Sequence, residues 1–290
     1  MPGTASGTPS PAATVVVLRD RPGGIEVLMV RRHEDTPFMG GAHVFPGGRV
    51  DRADRLVSGD RWCEGVSHAT AQLRDLPEVE AVAFHIAAVR ELFEEAGVLL
   101  ARGATGDYVS LADADAHGRF NQYRTDIHSG ASSLQGVVEK EHLRLALDSL
   151  VMLAHWVTPP VDTRRFDTRF FLARMPPQQI PAHDETETTH SAWIKPADAI
   201  ARCVRNEIVL PPPTWTTLRE LEPFSSVDEV IGWARRRRVT RRLPLVLQQD
   251  GRRMLLLPGD PLNPEPPVED PPRETRFVLV DGSWRAVRAT

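Results

Sequence analysis

The chain has 290 residues, 41% of them hydrophobic and 26% charged, with a formal net charge of −4. That composition is globular, with material for a sizeable core, which excludes wholesale disorder. The small negative charge leaves no general footprint for nucleic acid or anionic lipid. No apolar run approaches the roughly 20 residues of a membrane helix, and no signal-peptide pattern opens the chain. The expectation is a cytoplasmic protein with neither a membrane nor a nucleic-acid partner. Cys63 and Cys203 are too few for a disulfide framework and form no zinc-type cluster, so both are expected to be reduced thiols.

Residues 1–11 are small and rich in Pro, Gly and Ser, and are expected to form a mobile tail. Ala13–Leu18 and Ile25–Val30 flank the turn Arg21–Gly24 and predict a hairpin. Residues 34–48 read as loop with a short strand near His43–Phe45, ending in Pro46-Gly47-Gly48. Residues 55–77 are polar and poorly periodic, an insertion with room for one short helix. Glu78–Ala96 predicts the clearest helix: Val82, Ile86, Val89 and Phe93 recur at helical spacing, and Gly97 stands where a C-cap glycine belongs.

A second helix is predicted over Glu139–Ala154. Trp156–Pro160 and Arg169–Ala173 read as extended, and Glu185–Ile194 as a strand. Further helices are predicted from Pro196 to Asn206, with proline at the first position, and over Thr214–Leu221. Ser226-x-x-Glu229 is a capping box opening a helix that runs into Arg235–Arg238. In the last fifty residues, Asp250-Gly251 and Asp281-Gly282 predict two hairpins around a proline-rich stretch at 258–273. Alternating strands and helices predict an α/β sandwich. Residues 12–240 are expected to form the main domain, and 241–290 a hairpin extension packed on it.

The chemistry concentrates in Arg90-Glu91-Leu92-Phe93-Glu94-Glu95-Ala96-Gly97-Val98. At helical spacing Glu91, Glu94 and Glu95 cluster on one face, opposite the apolar set. Like charges three and four residues apart repel unless neutralised. Hard divalent cations with oxygen ligands, Mg²⁺ or Mn²⁺, are the natural neutraliser. On its own the triplet also suits a solvated acidic face with Arg90 as an ion-pair partner.

This segment matches every defined position of the second half of the Nudix box, REUxEExGU, where U is aliphatic. The first half asks for a glycine followed six residues on by an acid. Gly48 and Asp54 stand at that spacing, with Asp in place of the usual Glu, behind Pro46-Gly47-Gly48. Residues 55–89 replace the family's short spacer, an insertion whose closure cost grows only logarithmically. The sequence therefore resembles the Nudix hydrolases, and the split box resembles their acyl-CoA diphosphatase branch. Phe45–Asp51, Arg165–Phe171 and Leu210–Thr214 are softer likenesses to that branch. Leu28, Met29, Arg32, Gly41 and Phe45–Gly48 fit the motif that other CoA-cleaving members carry upstream. Val30, His33, Pro37 and His43 depart from it.

The resemblance implies a Nudix α/β/α sandwich with a mixed sheet, a helical insertion and a C-terminal hairpin extension. It implies a hydrolase that cuts a small-molecule diphosphate with Mg²⁺ or Mn²⁺ as cofactor. Glu94 and Glu95 would be metal ligands, and Glu91 a further ligand or the base. Arg90 would hold a glutamate carboxylate in place, and Gly47 and Gly48 would bring backbone close to metal and phosphate. A later acidic ligand is expected from Glu185 or Glu187, with Glu187 preferred; both also read as solvent-facing strand residues. Arg31 and Arg32 are placed to meet a phosphate-rich ligand or to form a strand-end ion pair. Arg235–Arg238, with Arg241 and Arg242, reads first as a solvated helix end. The expected substrate is CoA or an acyl-CoA, giving 3′,5′-ADP and (acyl-)4′-phosphopantetheine. A nucleotide sugar, dinucleotide or nucleoside triphosphate is the alternative, and a non-catalytic ligand-sensing module the rival of another class. The resemblance also admits a homodimer, an arrangement common in the family.

Overall fold

The structure is a computed structural model that describes residues 7–35, 39–56, 59–183, 188–249, 251–267 and 272–288. Strand β1 (Ser10–Arg21) turns tightly into β2 (Gly24–Arg32), and the two pair antiparallel. The expected hairpin is therefore present, and it is longer than the apolar runs alone marked out. Ser10 and Pro11 pair with β9 (Phe166–Arg174) rather than belonging to a tail. Backbone hydrogen bonds to a neighbouring strand hold these two small residues in place without any apolar area of their own.

β1 organises the main sheet. Its one edge pairs parallel with β9. Its other edge is shared: the end nearer the turn pairs with β2, and the beginning pairs with β4 (Gly47–Arg49). Among the described residues the sheet has eight strands. β10 (Thr188–Ile194) lies outside β2, and β8 (Val151–Val157) and then β11 (Arg241–Arg242) lie beyond β9. The short β3 (His43–Val44) pairs with β2. β11 falls past residue 240, so the main sheet borrows a strand from the expected extension.

Side chains alternate between the two faces, as the pleat requires. Ala13, Val15 and Val17 enter one core, with Leu28, Val30, Phe171 and Ala173. Val16 and Leu18 enter the other, with Val27, Met29, Phe170 and Leu172. The first core is closed by α3 (Glu78–Ala96), whose end is set by Gly97 at φ 67°. The second is closed by α6 (Pro196–Val204), α7 (Pro212–Leu221) and α8 (Val227–Arg236), the last opened by the expected Ser226/Glu229 capping box. Helices on both faces of a mixed sheet make the α/β sandwich the sequence led us to expect.

The insertion forms α1 (Gly59–Trp62), β5 (Cys63–Glu64) and α2 (Val66–Gln72). It is packed rather than adrift: Ala69 and Leu73 are buried in the first core, and the Gln72 side chain bonds Leu150 O and Met152 N. β5 and β6 (Ala101–Arg102) flank β7 (Arg144–Ala146) in a small sheet.

The helix expected over Glu139–Ala154 is not there. α4 (Ala114–His128) precedes that span, and α5 (Leu134–Lys140) ends two residues into it. His142 takes a left-handed backbone at φ 53°, and β7, a short 3₁₀ turn and β8 fill the rest. β8 is buried at every position, so its apolar run carries no alternation that would mark it as a strand. The C-terminal residues do form two hairpins, β12 (Leu245–Gln249) with β13 (Arg252–Leu256) and β14 (Arg276–Val280) with β15 (Ser283–Val287). Together they make a second antiparallel sheet.

Candidate active site

The last turns of α3 meet β4 because both pack on β1, and there the two halves of the sequence motif come together. Arg90 sits at the centre. Its Nε and Nη2 donate to the two oxygens of Asp54 at 3.0 Å each, its Nη1 to Glu91 Oε1 at 2.9 Å and Glu94 Oε1 at 3.1 Å, and its Nη2 also to Arg49 O at 2.8 Å. Asp54 rides on a 3₁₀ turn, Ala53–Arg55, and accepts from Asp51 N at 2.8 Å. The Gly47 N–H donates to Glu95 Oε2 at 2.9 Å. A Cβ on Gly48 would lie 2.5 Å from Glu91 Cδ, so only glycine lets the strand pass this close to the carboxylate.

Asp54, Arg90 and Glu95 are buried, at 3%, 8% and 5% exposure. Such a charge cluster is tolerable only because the guanidinium fork pairs with the carboxylates around it. Burial works against the Arg90 charge, but the Asp54 hydrogen bonds and the Glu91 and Glu94 carboxylates outweigh it and hold the guanidinium more firmly protonated than usual. Burial also pushes the Glu94 carboxyl above its ordinary value, against the pull of Arg90. Arg124 of α4 donates to Glu94 O and Ala182 O at 2.9 Å each, occupying a carbonyl at the end of α3 that would otherwise need a partner.

These groups help line a cleft of about 1390 Å³. The rest is walled by Arg32 and Phe45, by the adjoining ends of β8 and β9, by Pro211–Thr214, and by residues of the C-terminal sheet. Among the described residues no three His, Cys, Asp or Glu side chains converge as a ready-made metal cage. The donor chemistry still fits a hard divalent cation. The groups are carboxylates, Arg90 engages one oxygen of Glu91 and one of Glu94, and Mg²⁺ characteristically keeps waters and substrate phosphates among its ligands.

The NUDT19 Nudix domain family matches residues 66–221, more than half of the chain. The chain belongs to the Nudix family. It is 33% identical over 282 residues to the human acyl-coenzyme A diphosphatase NUDT19, spanning 82% of this chain and 72% of that protein. The chicken (Gallus gallus) protein of the same name is 30% identical, spanning 83% and 74%. Among solved structures, a NUDIX hydrolase from Alicyclobacillus acidocaldarius superposes with a TM-score of 0.67 at 27% identity, covering 79% of this chain and 97% of that one.

In this Nudix enzyme, Gly47, Gly48, Arg90, Glu91, Glu94 and Glu95 are brought together at the cleft, with Asp54 clamped beneath them. Glu187 and Glu185 lie outside the described residues. Arg32 lines the cleft with its Nε buried and without a partner among the described residues. Arg31 instead pairs with Glu34 at 2.6 Å on the surface. Of the arginine run, Arg237 donates to Leu153 O at 2.7 Å and lies over the Trp233 ring, and Arg242 pairs with buried Glu220. These two guanidiniums brace α7 and α8 against the sheet. Cys63 and Cys203 are buried free thiols; burial pushes Cys63 up to about 12 and raises Cys203, which leaves neither as a ready thiolate.

Sequence reasoning missed α4 and the residues after it, whose Ile127, His128 and Ser132–Gln135 also reach the cleft. A signal was present: Asp113 caps the helix, and Ala116, Phe120, Tyr123 and Ile127 recur at helical spacing within a polar stretch.

Proposed function

We propose that this chain hydrolyses the diphosphate of CoA or an acyl-CoA, releasing 3′,5′-ADP and (acyl-)4′-phosphopantetheine, with Mg²⁺ or Mn²⁺ as cofactor and in the cytoplasm. The observation that carries the chemistry is the Arg90-centred carboxylate cluster beside the Gly47-Gly48 backbone, open to a cleft of about 1390 Å³. The CoA assignment is supported by the names of the relatives from human and chicken. Among the described residues no helix is long and apolar enough to cross a membrane.

In this reading Glu94 and Glu95 hold the cation, with Glu187 as a later ligand. Glu91 is either a further ligand or the base that takes the proton of the attacking water. When bound, the divalent ion neutralises diphosphate charge and makes a water nucleophilic near neutral pH. Arg90 is a positioning residue: its planar fork fixes Glu91 and Glu94 against Asp54, so their oxygens do not have to be ordered when substrate arrives. Arg32, and Arg31 once released from Glu34, supply cationic contacts for phosphate.

The test is a hydrolysis screen with mass-spectrometric product identification, offering CoA, acyl-CoAs, NADH, ADP-ribose and a nucleoside triphosphate. Release of 3′,5′-ADP that is lost with EDTA and restored by Mg²⁺ or Mn²⁺ is the expected result. Cleavage of another compound in place of CoA would discard the substrate assignment and keep the carboxylate chemistry. Glu94→Gln is expected to lower turnover by at least about 10²-fold in a folded protein. Full activity in that variant would remove Glu94 from the metal site.

A further inference from the structure

The four-stranded C-terminal sheet lies beyond the span matched by the Nudix family. Its registers set Val246 opposite Leu255, Leu255 opposite Phe277, and Leu279 opposite Trp284. Directly paired residues share a face, and so do residues two apart along a strand, so one face of this sheet is apolar across all four strands. Leu255 and Phe277 are largely consumed by the second core. Val246, Leu279 and Trp284 are only half-buried, and with Leu255 they line the same cleft that holds the carboxylates. Phe166 and Phe170 of β9 line that cleft too. At its rim Arg253 pairs with Asp162 at 3.0 Å and lies 6.0 Å from the Trp284 ring centre, tying the loop after β8 to the C-terminal sheet.

Cutting a diphosphate requires none of this apolar area; the charged chemistry sits on α3 and β4. Val246, Leu255 and Leu279 offer no donor or acceptor with which to read a nucleobase edge, but they do remove methylene groups from water. We infer that this face of the C-terminal sheet seats the acyl chain of the substrate, so that Val246 and Leu279 set chain-length preference without taking part in the chemistry. The inference rests on the CoA reading of the carboxylate site. It gives the appended hairpins a purpose: they extend a phosphate-cutting site with an aliphatic wall.

The experiment measures kcat/KM of the full chain for octanoyl-CoA and for unacylated CoA, in the wild type, Leu279→Asp and Val246→Asp, with a thermal melt on each. A buried methylene contributes roughly fourfold to binding, so losing two or three of them predicts a fall of about tenfold or more on octanoyl-CoA. Unacylated CoA is expected to stay within about twofold, since its chemistry lies elsewhere. Equal loss on both substrates would mean that the nucleotide or pantetheine arm lies on this wall, and would overturn the proposal. So would unchanged kinetics on both in folded variants. If an Asp variant fails to fold, Leu279→Ala reads the same substrate ratio. Failure of the wild type to cleave either compound is a separate result: it refutes the CoA reading itself and this inference with it.

Discussion

Gly47 and Gly48 are neighbours on one short strand, yet replacing each with alanine is expected to fail in different ways. At Gly48 the new Cβ would lie 2.5 Å from Glu91 Cδ and 2.6 Å from its Oε2. The obstacle is the end of a flexible side chain, so Glu91 rotates aside. Arg90 then loses one contact but keeps Asp54, Glu94 and Arg49 O, a cost of about 1 kcal/mol. The Glu91 carboxylate, however, moves by an ångström or more, and misplacement on that scale costs about 10²-fold in rate. At Gly47 the Cβ would meet Ala13 O and lie 2.7 Å from Thr14 Cα, both backbone of the central strand. Nothing there can swing away, and forced overpacking costs about 1–3 kcal/mol or more. Thermal melts with metal-dependent hydrolysis separate the two: Gly48→Ala should stay folded and lose activity, whereas Gly47→Ala should lose stability first. A fully active Gly48→Ala, or a Gly47→Ala as stable as wild type, would refute the reasoning.

Two further outcomes follow from the buried charges. Arg90→Met leaves the Asp54 carboxylate, 2% exposed, without its cationic partner, and is expected to cost about 3–5 kcal/mol in denaturant titration; Arg90→Lys should recover only part, because an ammonium cannot span both oxygens. The buried His85, its ring bonded to Ala81 O and Gln72, has its pKa lowered by burial from 6.5 to about 4, and His43 shifts likewise through burial and nearby Arg202 and Arg31. Folded pKa values below the unfolded ones mean that the unfolded chain binds more protons, so this stability is complete above pH 6.5 and lost as pH falls towards 4. For His85 the loss is at most about 3 kcal/mol; a His85→Leu variant whose melting temperature declines over that window as steeply as wild type would contradict it.

What could be read in the sequence was whatever is encoded locally. The apolar spacing of Glu78–Ala96, the cap at Gly97, the Ser226/Glu229 box and the Asp281-Gly282 turn each act within a few residues, and each produced the element expected. The nearness of Gly48 and Asp54 to Glu91–Glu95 was legible only through family resemblance, because the contact spans a 36-residue separation between Asp54 and Arg90. β8 was misread because a strand covered on both faces loses its alternation, and α4 was overlooked because only one narrow stripe of it is apolar. The depth of the carboxylates was also hidden. The sequence suggests an acidic surface, whereas the structure shows Arg90 and Asp54 drawing that face into the interior.

The way β1 divides its edge sets the order in which the chain can assemble. Its hairpin with β2 closes over a few residues and can form early, but its parallel pairing with β9 joins Ser10 to Phe166 and must wait for more than half the chain. Long-range parallel pairing is slow because its loop entropy is lost before any contact repays it. β4, with the Gly47-Gly48 backbone, docks on the same end of β1 that β9 supports. The reactive centre, which needs β4 seated on β1, is therefore expected to form late in folding. A nascent or partly unfolded chain would carry helix and hairpin without a competent site, and recovery of catalysis would be a stricter gauge of the native state than recovery of secondary structure.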